Sequence, residues 1–538
     1  MNAHITSGII GAACAALVTV VAPGCSKKKD APDKGDTPAT GAAANPSVGA
    51  PAASAGASLY FDGLPVSNTR AEVLALIAES SEHWDLESTT RAHDLAVQAT
   101  EKQPESILAW LHRADAALSP EESAEASARA QALEKTANPV ERALLEVRLG
   151  RESGDTDRAL RAAKKVARLA EKSPEAHLVV SRVHTLRGED EPARAAALAA
   201  VELDPESLSA HALLGESYTF REPRDLEKAA YHFKRTVELR PRVAATYVSL
   251  GDVYRAGLDL EAASVEYGKA MAADPKYPVG PVKRGHINSF LGNYDQARAD
   301  YDAGIALGTT RFGLSLSNYR AFVSIHEGAP EAALTELEAL LQKARAAELE
   351  AGERNELVLY ILENRAVVAS HVAGTAAAED KQGAVATAVA AVDALVAEHA
   401  RIGSEGDDAS KRKHDVQRAY WQCRSKLAQG AIPEALERAE AYARLVEPDS
   451  NPRKLERYHE LRGLIDLERE KYADAVEHLR KSDLQTTVFA KYQLARALTG
   501  AGETDEARKL FREVADFNFN SPEFALLRKP AQAQASDQ

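Results

Sequence analysis

Cysteine, methionine and tryptophan are nearly missing from this chain, with three, two and three residues among 538. Three cysteines, Cys14, Cys25 and Cys423, leave no room for a disulfide framework. The lone Cys423, in Tyr420-Trp421-Gln422-Cys423 on a helical stretch, reads as a buried small apolar residue rather than a nucleophile. Aromatic residues amount to 6%, and no long run alternates apolar and polar positions with a period of two. That excludes a sheet-based core and favours helices packed closely through small side chains. A formal charge of -14 denies the chain the basic surface that a general nucleic-acid binder needs, so no nucleic-acid partner is expected. Catalytic signatures are missing as well: there is no G-x4-G-K-[ST], no G-x-G-x-x-G after a strand, no G-x-S-x-G and no C-x2-C. His459-Glu460-Leu461-Arg462-Gly463 lacks the second histidine of a zinc-protease helix, and Gly463 fits better as a close-contact glycine. The chain is read as a non-enzyme with no cofactor and no metal.

What the chain has is a period. Pro241 to Pro275, Gly251 to Gly285, Ala263 to Ala297 and Tyr267 to Tyr301 are each separated by 34 residues. A second ruler is glycine followed five residues later by alanine, at Gly154/Ala159, Gly188/Ala193, Gly292/Ala297, Gly328/Ala333, Gly430/Ala435 and Gly502/Ala507. Glycine there can adopt the left-handed conformation that closes one helix, and alanine lets the next helix approach closely. Prolines at 104, 174, 205, 241, 275 and 448 then stop each pair. Tyr247, Leu250, Gly251, Tyr254, Ala263, Tyr267, Ala270 and Pro275 fall on W-x2-L-G-x2-Y…A-x3-F…P, with tyrosine in place of tryptophan and phenylalanine. On these residues the chain resembles the tetratricopeptide repeat family. The resemblance implies an all-α, right-handed superhelical solenoid of antiparallel helix pairs. It also implies a scaffold that binds protein or peptide partners in a concave groove. Because a repeat array lengthens without adding cores, one continuous solenoid is expected despite the length.

The N-terminus carries a different signal. Gly8 to Ala22 is a 15-residue apolar run, short for a membrane span of about 20 residues and suited to the apolar core of a secretory leader. Ala22-Pro23-Gly24-Cys25 resembles the bacterial lipoprotein box, although Pro23 and the lack of Lys or Arg before the apolar run depart from it. The resemblance implies lipidation of Cys25, and Ser26 after it implies export to the outer membrane. Residues 26–58 hold mostly Ala, Gly, Pro, Ser and Thr and cannot repay the entropy of folding. A flexible tether of that length spans about 30 Å. The expected organisation is a signal peptide over 1–24, a tether over 25–58, a solenoid over 59–516 and a capping helix with tail over 517–538.

Recognition is expected on the concave face. If Tyr247, Leu250, Gly251 and Tyr254 pack between helices, Asp252 and Arg255 face the groove, and the same register in neighbouring repeats selects Arg182, Glu216 and His286. The array is irregular between about 345 and 430, with long helices near 355–372 and 383–399 and a polar loop over 403–413. Phe517 to Leu527 is expected to form a helix over the last core. The basic stretch from Arg158 to Lys172 reads as a solvated outer face. These features together describe a lipid-anchored scaffold of the bacterial envelope, facing the periplasm or the surface. Two alternatives are a client-specific accessory for secretion or envelope assembly, and a hydrolase or glycan-processing factor with a site hidden in 345–430.

Overall fold

The computed structural model describes residues 60–61, 64–66, 69–85 and 89–536. The leader, Cys25 and the tether lie outside these residues. Within them the chain is all-α, apart from one antiparallel pairing of Tyr60–Phe61 with Leu64–Pro65. The helices run in consecutive antiparallel pairs and fall into two compact units that meet in sequence at Leu239 and Arg240.

The first unit holds five pairs: Ala71–Asp85 with Thr89–Lys102, Ile107–Asp115 with Pro120–Ala132, Pro139–Glu152 with Thr156–Leu169, Pro174–Leu186 with Asp190–Leu203, and Leu208–Phe220 with Leu226–Leu239. Leu64 from the short hairpin is buried with Val140, Val166 and Ala176, so the folded array begins close to where the tether composition ends.

The second unit holds seven pairs: Ala244–Ala256 with Leu260–Ala273, Val279–Leu291 with Tyr294–Leu307, Thr310–Glu327 with Pro330–Ala346, Ala351–Thr375 with Lys381–Glu405, Asp408–Ala428 with Ile432–Val446, Glu456–Glu468 with Tyr472–Leu479, and Val488–Ala501 with Thr504–Ala515. A final helix, Pro522–Ala535, follows. Lys381–Glu405 is long and apolar enough to cross a membrane by composition alone. Its Ala388 and Ala391 pack with Ala369 and Ala373 of the preceding helix, as core residues do.

Both rulers in the sequence have a structural cause. The six ruler glycines have φ between 71 and 103, and the amide after the turn reaches back five residues, as from Asn293 to the Asn288 carbonyl at 2.9 Å. This is the Schellman closure of a helix. Five residues on, Ala159, Ala193, Ala297, Ala333, Ala435 and Ala507 are buried. The repeat glycine serves a second contact: a Cβ on Gly251 would lie 2.5 Å from the Tyr267 ring, and one on Gly463 would lie 2.4 Å from Leu479.

Three expectations are corrected. The helices form two compact units instead of one, because the C-terminal segment ties the ends of the second block to each other, as described below. The polar loop expected over 403–413 is helical except at Gly406 and Asp407, since Asp407 accepts the Ser410 amide at 2.8 Å and caps a new helix at once. Residues 517–521 are not helical, and the last helix starts at Pro522, capped by Ser521, which accepts the Phe524 amide at 3.1 Å.

A recurring feature that the sequence does not announce is the histidine pair. Nδ1 of His211 meets Nδ1 of His232 at 2.9 Å, His399 meets His414 at 2.8 Å, and His459 meets His478 at 3.0 Å. The first and third bridge the two helices of one pair, and His399–His414 joins the second helix of one pair to the first helix of the next. One ring must donate and the other accept, so the accepting ring of each pair is neutral. Burial, reinforced by the charge of the partner ring, lowers His232 and His399 from 6.5 to about 4.

Two outcomes are expected. The folded state binds fewer protons than the unfolded chain below pH 6.5, so the stability these rings contribute is full above that pH and is lost as pH falls toward 4. A melting temperature that does not decline over this window would contradict the assignment, and His399→Leu with His414→Leu should flatten the decline. Leu258 (φ 63) and Glu470 (φ 57) occupy the glycine place of the turn ahead of Ala263 and Ala475. Leu258→Gly and Glu470→Gly should each stabilise by about 1 kcal/mol through relief of left-handed strain, read as a higher denaturant midpoint.

Candidate functional site

Three of the residues expected on the concave face lie on the first helices of consecutive pairs in the second unit. Asp252 and Arg255 lie on Ala244–Ala256, and His286 lies one repeat later on Val279–Leu291. The Tyr267 hydroxyl donates to Asp252 at 2.7 Å, Lys283 donates to its other oxygen at 2.5 Å, and Arg255 Nε approaches it at 3.4 Å. Burial pushes the Asp252 carboxyl up, but the two cations outweigh it and hold it below its ordinary value. Lys283 is a member of this cluster that the repeat register missed. The other two expected residues belong to the first unit. Arg182, on Pro174–Leu186, donates to Glu175 at 2.6 Å, and Glu216 sits half-buried on Leu208–Phe220.

The inner face of the second unit is already occupied by the chain itself. Residues 517–521, Phe-Asn-Phe-Asn-Ser, cross it as a strap. Arg255 Nη1 donates to the Asn518 carbonyl at 2.9 Å and to its side-chain oxygen at 3.0 Å, and Asn518 returns a bond to the Arg255 carbonyl at 2.9 Å. The guanidinium also lies 4.7 Å from the centre of the Phe519 ring. Asn520 donates to His286 Nδ1 at 3.2 Å and to the Tyr301 hydroxyl at 3.1 Å, and its oxygen accepts from His326 Nε2 at 3.1 Å. The Tyr301 hydroxyl lies 2.6 Å from the same His286 nitrogen. Accepting at Nδ1 requires a neutral ring, and burial, with the charges of Lys283 and Arg255, lowers His286 to about 3. The following helix seats Phe524 against Phe290 and His326, with ring centres 5.2 and 6.1 Å apart, and Arg528 donates to the Phe290 carbonyl.

The expected groove residues are therefore corrected in role. Arg255 and His286 hold the strap instead of standing open to a partner, and Asp252 is neutralised by Lys283 and Arg255. Alternating asparagines over a short non-helical segment allow this, because each amide offers both a donor and an acceptor to the groove.

Beside the strap lies a cavity of about 1090 Å³. Its wall combines Glu363 and Val367 of Ala351–Thr375, Tyr420, Trp421 and Arg424 of Asp408–Ala428, Arg457 and Glu460 of Glu456–Glu468, Phe489, the strap residues Phe517 and Phe519, and Glu523 of the last helix. Tyr420 donates to Glu460 at 2.6 Å. Burial raises the carboxyls of Glu363 and Glu523 above their ordinary values. Part of this wall comes from the irregular region between 345 and 430. The varying helix lengths there defeat counting by 34, so the register did not reach it. Cys423, next to Trp421, is buried as expected: its thiol meets the Ala435 carbonyl at 3.2 Å, and burial pushes it up to about 12. Among the described residues no group of three potential ligands is placed to hold a metal ion.

Residues 144–208 match the family model of the tetratricopeptide repeat. No curated protein matches the chain. Among solved structures it is similar to the MamA protein, at 19% identity over 33% of this chain and 96% of that one, with a TM-score of 0.29. It is also similar to a tetratricopeptide repeat protein from Parabacteroides merdae ATCC 43184, at 14% identity over 55% and 100% of the two chains, with a TM-score of 0.29. A third is YrrB, described as a tetratricopeptide repeat protein with an unusual peptide-binding site, at 16% identity over 36% and 97%, with a TM-score of 0.29. Likenesses of this size carry nothing about what this chain binds.

Asn520→Ala removes the side chain shared by His286, Tyr301 and His326. Leaving buried groups unpaired should cost about 1–3 kcal/mol. Hydrogen exchange should quicken first over residues 517–531, while residues 174–239 of the other unit keep their protection. Loss of protection in both units at once would contradict the local role of the strap.

Proposed function

We propose that this chain is a lipid-anchored scaffold of the bacterial envelope whose helix-lined inner face binds segments of other proteins. The observation that carries the reading is the strap: a non-helical stretch of polypeptide is held on that face through its backbone carbonyl and asparagine side chains by residues of three consecutive repeats. A face that grips five residues of its own chain has the chemistry to grip a partner's. The match of residues 144–208 to the tetratricopeptide repeat supports the same direction.

The anchor rests on Ala22-Pro23-Gly24-Cys25 and on the tether composition of residues 26–58. In this reading residues 1–24 are removed, Cys25 is acylated, residues 25–58 hold the array away from an outer-membrane leaflet, and residues 59–516 present the binding surface. Residues 517–538 close it. One observation favours the narrower form, an accessory serving one client in secretion or envelope assembly: a single cavity of the second unit is lined by Tyr420, Trp421, Phe489, Phe517 and Phe519 together with Arg424 and Arg457.

A photo-crosslinking residue at Gln417, in the cavity wall, should capture a defined partner in intact cells, and the same residue at the exposed Lys164 of the first unit should not. Capture at Lys164 alone would place recognition on the outer basic face and overturn the reading. Cys25→Ser should abolish acylation and move the protein out of the detergent phase. Unchanged partitioning, with the leader retained by mass, would replace the lipid anchor with an uncleaved one.

A further inference from the structure

The cavity of the second unit has a charge that the scaffold reading leaves unassigned. Arg424 lies 4.6 Å from the centre of the Phe489 ring and 5.2 Å from that of Trp421, and Arg457 lies 5.0 Å from that of Tyr420. Aromatic faces hold both guanidiniums in place while leaving their edges for other partners. Each makes one hydrogen bond within the protein, Arg424 to the Tyr420 hydroxyl at 3.2 Å and Arg457 to the Gln417 side-chain oxygen at 3.0 Å. A guanidinium has five N–H donors in a fork that matches a carboxylate, so most of the donors here are unspent. Neither forms an ion pair among the described residues.

Six carboxyl groups line the cavity: Glu456 and Asp483 pair with Arg453, Asp449 lies at its rim, and Glu363, Glu460 and Glu523 stand with the two arginines. Glu460 is engaged by Tyr420 at 2.6 Å. Glu363 and Glu523 are buried carboxyls that can give up their charge by taking a proton, whereas arginine cannot give up its own. The charge that the site cannot shed is positive. Around it stand Tyr420, Trp421, Phe489 and Phe517, and the volume of about 1090 Å³ is that of several residues rather than an inorganic ion.

We infer that this cavity binds an acidic peptide segment, a glutamate or aspartate side chain entering the fork of Arg424 and Arg457 while a neighbouring aromatic or aliphatic side chain lies on Phe489 and Phe517. The inference rests on the reading of the inner face as a protein-binding surface and names the chemistry of what enters it. It differs from recognition of a free chain terminus, because two separated guanidiniums can read carboxylates anywhere along a segment.

The test uses the purified full chain in detergent and two peptides with both ends capped, Gly-Glu-Phe-Glu-Gly and Gly-Lys-Phe-Lys-Gly, titrated by calorimetry. The acidic peptide should bind saturably, about tenfold or more tighter than the basic one, and weaken as salt rises. Arg457→Gln should weaken it by about tenfold, and Lys164→Gln on the exposed face of the first unit should leave it unchanged. Arg424→Gln gives the second reading should Arg457→Gln fail to fold. Equal or tighter binding of the basic peptide, no saturable binding of either, or acidic binding indifferent to both cavity substitutions with the melting temperature preserved would overturn the inference. If crosslinked capture from Gln417 persists in those cases, the scaffold reading stands and only the acidic specificity falls. If capture is lost with it, both fall.

Discussion

The close approach of the two helices of a pair, made at Gly251 and Gly463 by the lack of a β-carbon, is the constraint on which these repeats depend. A Cβ on Gly251 would lie inside the contact radius of the Tyr267 ring, and one on Gly463 inside that of Leu479. With the side chain gone, the second helix lies close enough for Ala263 or Ala475 to be fully buried. That contact fixes the angle of the pair, the angle fixes the turn, and the turn forces a left-handed residue even where glycine is lacking, as at Leu258 and Glu470. Packing decides the turn here, and local propensity yields to it.

A repeat array held by neighbours alone can open at any joint. The second unit is held differently. Asn518 and Asn520 join the last segment to Arg255, His286 and His326, and Phe524 and Arg528 extend the join to Phe290. Contacts across 194 to 263 residues of sequence tie seven pairs and a tail into one block, and the array divides at Arg240 while the repeat pattern runs on. The same strap contributes Phe517 and Phe519 to the cavity wall, and the helix after it Glu523, so closure and the shape of the cavity are one arrangement.

The repeats were legible because their cause is local. Gly292 and Ala297 stand five residues apart as a consequence of one helix ending and the next beginning, and such spacing survives in the letters. Asp252, Arg255 and His286 could be placed on one face by counting for the same reason. What covered them could not, because the occupant lies at residues 518 and 520 and nothing within a repeat points to it. A signal was present in the strap: Ser521-Pro522 is a helix start, which makes Phe517 to Asn520 a poor helix and leaves two asparagines without a local task. The arginines of the cavity were hidden by helices whose lengths break the period. The histidine pairs are separated by 21, 15 and 19 residues and so show no period at all.

The strap sets an order on assembly. Helices are added along a chain from its first residue, and the pairs from Ala244 to Glu327 can each fold against the one before as they appear. Their inner face, with Arg255, His286 and Phe290, must then wait for residues 518–528, which are synthesised after all seven pairs. Through that interval the face that holds the strap is open to any segment of similar chemistry nearby. The finished unit is therefore the outcome of a competition that its own terminus wins by tethering, since a segment joined to the array is always present at high local concentration.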